Sequence, residues 1–183
     1  MTDKGIFSFM GVLAGAALLC GCASPSAPAT QAATGPLVQK KVAYVRGDAY
    51  RAGQMFRNQL SEPAYRELDQ SVGNALRSVY SEVVAVNSAN DAGAGVAYVF
   101  TPEIVADFSA PSPYRSPTAV FNTQVEVAVT NPAGAKVASL KANGAGKASF
   151  DEFRYDPGLA ARRASTDLTA KLGDEIRRSA QLQ

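Results

Sequence analysis

The sequence predicts an α+β fold in the order β-α-β-β-β-α, with a mostly antiparallel sheet and two helices on one face. Three observations lead there. Phe121, Thr123, Val125, Val127 and Val129 alternate with Asn122, Gln124, Glu126 and Ala128, the pattern of a half-buried strand. Tyr65, Leu68, Val72, Leu76, Val79, Tyr80 and Val83 recur at helical spacing, and Leu168, Leu172 and Ile176 repeat every fourth residue near the end. Elements that each bury one face stack as layers around a shared core.

Taken in order, Lys40 to Arg46 carries the β-formers Val42, Tyr44 and Val45 and reads as a first strand. Residues 47–60 have no clean period and read as a loop or short helical turn. Ser61-Glu62-Pro63 then offers a cap, an early acid and a first-turn proline, so the first helix begins there. The turn chemistry of Asn87 to Gly95 ends it. Val96 to Phe108 is β-branched and aromatic, and Pro102 inside it predicts an edge position, a bulge or two short pieces. A Pro/Ser loop, Ser109 to Pro117, leads to the alternating strand. Asn131-Pro132-Ala133-Gly134 turns the chain back, and Lys136 to about Phe150 forms the partner strand of the hairpin. Its several Gly and Ala predict a bulge or close packing. Asp156-Pro157 supplies an N-cap and first helical position for the last helix, with Leu159, Ala161 and Ala164 on the side of Leu168.

Before this domain, Lys4 and the amino group precede an uncharged apolar run from Ile6 to Leu19. As a helix it would extend only about 21 Å, short of a hydrocarbon core of about 30 Å. It therefore reads as the h-region of a secretory signal. Leu19-Cys20-Gly21-Cys22 resembles a bacterial lipobox, with a branched apolar residue three before the modified Cys and a small residue just before it. That resemblance makes residues 1–21 a signal peptide, Leu19 and Gly21 the signal-peptidase recognition residues, and Cys22 the lipid-attachment site. Residues 22–36 become the lipidated Cys with a flexible tether. Ala23 to Pro36 has no charge and no large apolar side chain, so it cannot bury enough surface to offset ordering. Extended, it reaches about 45 Å from the acyl chains. Residues 37–183 form a single domain, of a size that buries a core without disulfides.

Absences narrow the chemistry. The chain of 183 residues has no His and no Trp, and its cysteines are Cys20 and Cys22 alone. There is no imidazole for a triad or a typical zinc site, so no metal, no cofactor and no enzymatic activity are expected. Charge is balanced at 18 Lys+Arg against 16 Asp+Glu, which gives no basic face for nucleic acid. Asn143-Gly144-Ala145-Gly146-Lys147 suggests a phosphate loop, but Lys141 stands where its first Gly belongs and Ala148 where it needs Ser or Thr. Gly93 and Gly95 lack the following helix of a dinucleotide site. Asp151 and Glu152 are adjacent, pointing to opposite faces of a strand. Asp167 with Lys171, and Asp174 with Arg178, are i,i+4 pairs of a solvated helix face. Arg46-Gly47-Asp48 is a tripeptide of common turn residues. Phe150, Phe153 and Tyr155 are expected to close the core over the last helix. The best candidates for partner binding are Tyr114 and Arg115, hot-spot residue types in a loop whose prolines cut the cost of ordering.

The lipobox, the element order and the long hairpin before a C-terminal helix resemble the small outer-membrane lipoproteins of the YajG type. More distantly they resemble LptE-type lipopolysaccharide-assembly lipoproteins and auxiliary lipoproteins of ABC transporters. The resemblance implies a periplasm-facing accessory protein held in the membrane by acyl chains on Cys22, with an envelope protein as partner. Ala23 after the modified Cys, where Asp is the usual inner-membrane retention signal, implies the outer membrane. The other function considered is a module that encloses a lipid or another apolar ligand, which requires a substantial apolar cavity.

Overall fold

The computed structural model describes residues 35–46, 62–112 and 117–183. Eight main elements follow one another: β1 (Val38–Val45), α1 (Glu62–Arg77), β2 (Tyr80–Val86), β3 (Tyr98–Ser109), β4 (Thr118–Thr130), β5 (Lys136–Ser149), α2 (Phe150–Tyr155) and α3 (Leu159–Arg178). The strands form one mixed sheet in the order β2-β1-β3-β4-β5. β1 pairs in parallel with both β2 and β3, whereas β3–β4 and β4–β5 are the long antiparallel ladders. The α+β class, the mostly antiparallel sheet and the hairpin thus hold as expected.

Two elements differ from the sequence expectation. The first helix stops at Arg77, and Tyr80 and Val83 lie in β2. In a helix the neighbours Val83 and Val84 would point in different directions. In a strand they serve opposite faces, and each face has a core to meet. Val83 packs with the helix-side core, and Val84 with a smaller cluster on the other face. β1-α1-β2 is therefore a parallel crossover, a long connection usually made by a helix. The other difference is at FDEFRY, which forms α2. Asp156 ends α2 as its C-cap, and α3 begins at Leu159 with Gly158 before it.

Alternation along β4 puts Ala119, Phe121, Val125, Val127 and Val129 inside, each at most 1% exposed. They meet Val42, Tyr44, Phe100 and Ile104 from the sheet, Leu68, Val72 and Leu76 from α1, and Leu168, Leu172 and Ile176 from α3. The helices therefore share one face of the sheet. Ala43, Val86, Val96 and Val99 form the small cluster on the opposite face, under the segment that joins β2 to β3. Pro102 sits within β3 just past Phe100, where pairing with β1 ends, so it interrupts no ladder on that side.

The glycines of β5 are there for close packing. An added Cβ at Gly144 would meet Leu168 Cβ at 2.8 Å and collide with the Ala164 carbonyl. One at Gly146 would meet Ala164 N at 2.5 Å and collide with the Ala160 carbonyl. α3 lies directly on the backbone of β5.

α2 starts with a capping box: Ser149 Oγ accepts from Glu152 N–H at 3.3 Å, and the Glu152 carboxylate accepts from Ser149 N–H at 2.9 Å. Hydrogen bonding from Arg163, and then from the Ser149 backbone, holds the Glu152 carboxyl at about 2 against an ordinary 4.5. A depressed carboxyl stabilises the fold in full above its unfolded value. The contribution of Glu152 therefore holds above pH 4.5 and is lost as pH falls through about 2. Ser149→Ala should cost about 1 kcal/mol in a denaturant titration, while Arg163 and the retained backbone N–H keep the Glu152 carboxyl low. A variant as stable as wild type would contradict the capping box.

Candidate functional site

Cys22, Leu19 and Gly21 lie outside the described residues, as do Tyr114 and Arg115. What the structure gives is the attachment of the segments that carry them. The chain enters the domain at exposed Gly35, Pro36 and Leu37, with Gly35 against the Arg177 side chain. Val38 N–H then donates to Val79 O at 2.7 Å, fixing the start of β1 beside the start of β2. The same end of the sheet receives the last residues of the chain. Leu182 is fully buried, Tyr80 Oη donates to its carbonyl at 3.1 Å, Tyr98 Oη donates to Gln181 O at 2.9 Å, and Lys40 bonds the Gln183 carbonyl. Burial pushes the Tyr80 phenol up, so it stays protonated and able to donate.

The loop of Tyr114 and Arg115 belongs to the other end. It connects Ser109, the last residue of β3, to Thr118, the first of β4, and Thr118 pairs with Ser149 at the start of α2. β3 has 12 residues, so at about 3.3 Å per residue roughly 36 Å separates this end from the tether.

α2 sits at this far end, and its aromatic residues divide. Phe153 is half-buried and stacks on Phe108 at 6.0 Å, closing the core as expected. Phe150 and Tyr155 do not close it. Phe150 is 36% exposed with the Arg154 guanidinium 6.0 Å from its ring, and Tyr155 is 90% exposed. These two residues differ from the expectation because FDEFRY is a helix and not an extended lead into α3. As a helix of its own it has only one inward side, and Phe153 takes it. The alternation of aromatic with charged residues was the available signal.

Several charged groups are accounted for as ion pairs. Glu152 meets Arg163 at 2.9 Å, Glu126 meets Lys141 at 2.9 Å, Glu82 meets Lys41 at 2.7 Å, and Asp156 meets Arg162. The Asp167–Lys171 pair forms at 2.7 Å as expected. Arg178 instead takes Glu175, one turn back at i,i+3. Asp151 and Glu152 lie on α2 rather than on a strand. Arg46 follows β1, while Gly47 and Asp48 lie outside the described residues. Gly144 and Gly146 are buried under α3, and the Lys147 carbonyl accepts from Arg163, so Asn143 to Lys147 is a packed strand and not an open anion loop. Among the described residues no cluster of three or more His, Cys, Asp or Glu could hold a metal ion.

The described residues include the linings of two open depressions. One, about 380 Å³, lies over the open face of the sheet among Val105, Asp107, Asn122, Gln124 and Asn143, with Lys171 of α3 also in its lining. The other, about 260 Å³, runs between α1 and α3 along Glu67, Gln70, Asn74, Arg162, Ser165 and Thr166. Beneath it Ser71 and Ser165 hydrogen-bond each other, and Ser165 Oγ donates to Glu67 O at 3.2 Å. Apolar surface exceeds polar in the first lining, and the two are nearly equal in the second.

No family model matches the chain, and no curated protein matches it by sequence. The solved structures similar to it include the following three. A minor lipoprotein from Acinetobacter baumannii has 13% identity and a TM-score of 0.45, over 76% of this chain and 94% of its own. A lipoprotein from Caulobacter crescentus has 11% identity and a TM-score of 0.41, over 64% of this chain and 80% of its own. A PelC dodecamer from Paraburkholderia phytofirmans has 16% identity and a TM-score of 0.37, over 82% of this chain and 92% of its own. Likenesses this loose decide nothing about the role of this chain. Among the described residues no helix is long and apolar enough to cross a membrane.

Proposed function

We propose that the chain is an accessory lipoprotein of the bacterial envelope. Cys22 carries the acyl chains at the outer membrane, and the domain faces the periplasm and works through contacts with another envelope protein rather than by catalysis. One observation carries this reading: the two candidate regions attach at opposite ends of the sheet. The segment that carries the lipobox joins at Leu37, while the segment that carries Tyr114 and Arg115 joins after Ser109, and the exposed Phe150, Arg154 and Tyr155 follow Ser149. A domain so arranged is held at one end and presents apolar and guanidinium groups at the other. Exposed aromatic and Arg side chains of this kind serve as interface anchors.

The alternative, a carrier of lipid or another apolar ligand, has less support. α3 touches the β5 backbone at Gly144 and Gly146, leaving no space between helix and sheet there, and both depressions found among the described residues are open to solvent rather than enclosed.

Affinity capture of the acylated protein from its own membrane tests the proposal. The double change Tyr114→Ala with Arg115→Ala should cut partner recovery while leaving the melting midpoint unchanged, and Tyr155→Ala should do the same. Undiminished recovery with all three residues altered would overturn it. A stability loss of about 1 kcal/mol or more would instead assign the loop pair to packing.

A further inference from the structure

The two edges of the sheet are defended very differently. β5 carries Lys136, Lys141 and Lys147 along its edge, and α3 reaches over it. Asp167 Oδ2 accepts from Ala145 N–H at 3.0 Å, and Arg163 donates to Lys147 O at 2.6 Å. Lysines and covering groups are the usual means of keeping an edge from pairing. β2, the opposite edge, has neither among the described residues. Its seven residues, YSEVVAV, hold one charge, Glu82, which Lys41 already neutralises.

The backbone of β2 can be followed residue by residue. Val86 gives its carbonyl to Arg46 N–H at 2.9 Å, on the β1 side. Strand alternation then turns Glu82 and Val84 toward β1, and Val83 and Ala85 outward. Among the described residues, no side chain hydrogen-bonds to those outward groups. The edge is also apolar above and below: Val83 and Ala85 are half-buried against the helix-side core, and Val84 against the cluster on the other face. A strand added here must therefore be apolar on both faces.

β2 is itself such a strand. We infer that the β2 edge pairs with β2 of a second copy, antiparallel about a two-fold axis at Val84, joining two sheets into one of ten strands. In that register Val83 faces Ala85 of the partner copy and the reverse, giving four backbone hydrogen bonds from the four outward residues. Val84 meets its own equivalent as a non-hydrogen-bonded pair, about 4.5 Å between Cα atoms. Glu82 lies opposite Val86, so no like charges face each other, and the interface is self-complementary as a two-fold requires. The tethers do not obstruct it. Val38 pairs with Tyr80, four residues from Val84, so each tether leaves roughly 13 Å from the axis and both reach one membrane.

Native mass spectrometry of the full acylated protein tests the inference. Wild type should show two copies. Ala85→Pro removes only an outward N–H and should give one copy with an unchanged melting midpoint. Val84→Pro removes a donor to β1 and should lower the midpoint as well. An independent readout is Val84→Cys, which in membrane vesicles under an added mild oxidant should form a disulfide-linked dimer, since the pair distance lies in the range a disulfide spans. Lys147→Cys, on the guarded edge, should not. A single copy for wild type would overturn the inference. So would a two-copy Ala85→Pro protein, or equal disulfide yields at positions 84 and 147.

Discussion

Replacing Gly146 with Ala should destabilise the fold by about 3 kcal/mol, the upper range for forcing atoms into a packed interior. The new methyl would have to share space with the Ala160 carbonyl and with Ala164 N, both backbone atoms of α3 that no side-chain rotation can move aside. α3 must shift, and its shift is transmitted to Leu168, Leu172 and Ile176, each at most 1% exposed. Gly144→Ala should be nearly as costly, because there too a carbonyl, that of Ala164, blocks the methyl. Gly134→Ala is the informative contrast. Gly134 has φ of +82° and nothing within 4 Å, so its cost is conformational strain in a turn and not collision. Denaturant midpoints of the three variants measure the difference. A Gly146→Ala protein as stable as wild type would mean that α3 does not lie on β5 as described.

Cys22→Ser should have the largest effect on the working protein. Without the thiol there is no diacylglyceryl transfer, and the precursor should keep its apolar run from Ile6 to Leu19 or be cut elsewhere. Each buried CH₂ of an acyl chain holds the membrane by about 0.8 kcal/mol, so losing even one chain removes on the order of 10 kcal/mol of attachment. Metabolic labelling with a fatty acid checks it: label on wild type and none on the variant. A variant that still takes label would place the modification on another residue.

The long hairpin was legible because one face of β4 is buried and the other is solvated, so the period of two appears directly in Phe121 to Val129. α3 was legible for the corresponding reason at period four. β2 was hidden by its setting. A strand buried in part on both faces has no alternation, and Val79, Tyr80 and Val83 happen to continue the helical spacing of Leu68, Val72 and Leu76. Density of β-branched residues was the better guide there, since a run such as VYSEVVAV favours a strand over a helix. The glycines of β5 could be read as a site of close packing, but their partners on α3 could not, because contact between Gly146 and Ala160 is set by tertiary structure. The attachment and partner candidates came from the sequence alone. What the structure adds to them is direction: the segment bearing Cys22 meets the domain at one end, and the segment bearing Tyr114 and Arg115 leaves it at the other, beside exposed aromatic residues that periodicity did not reveal.

The anchor at Cys22 is tested most directly by intact-mass measurement of the protein isolated from its native membrane. The predicted mass is that of a chain beginning at Cys22, increased by a diacylglyceryl group on its thiol and with or without a further acyl chain on the new α-amino group. A mass beginning at Met1, or any unmodified N-terminus, would contradict it.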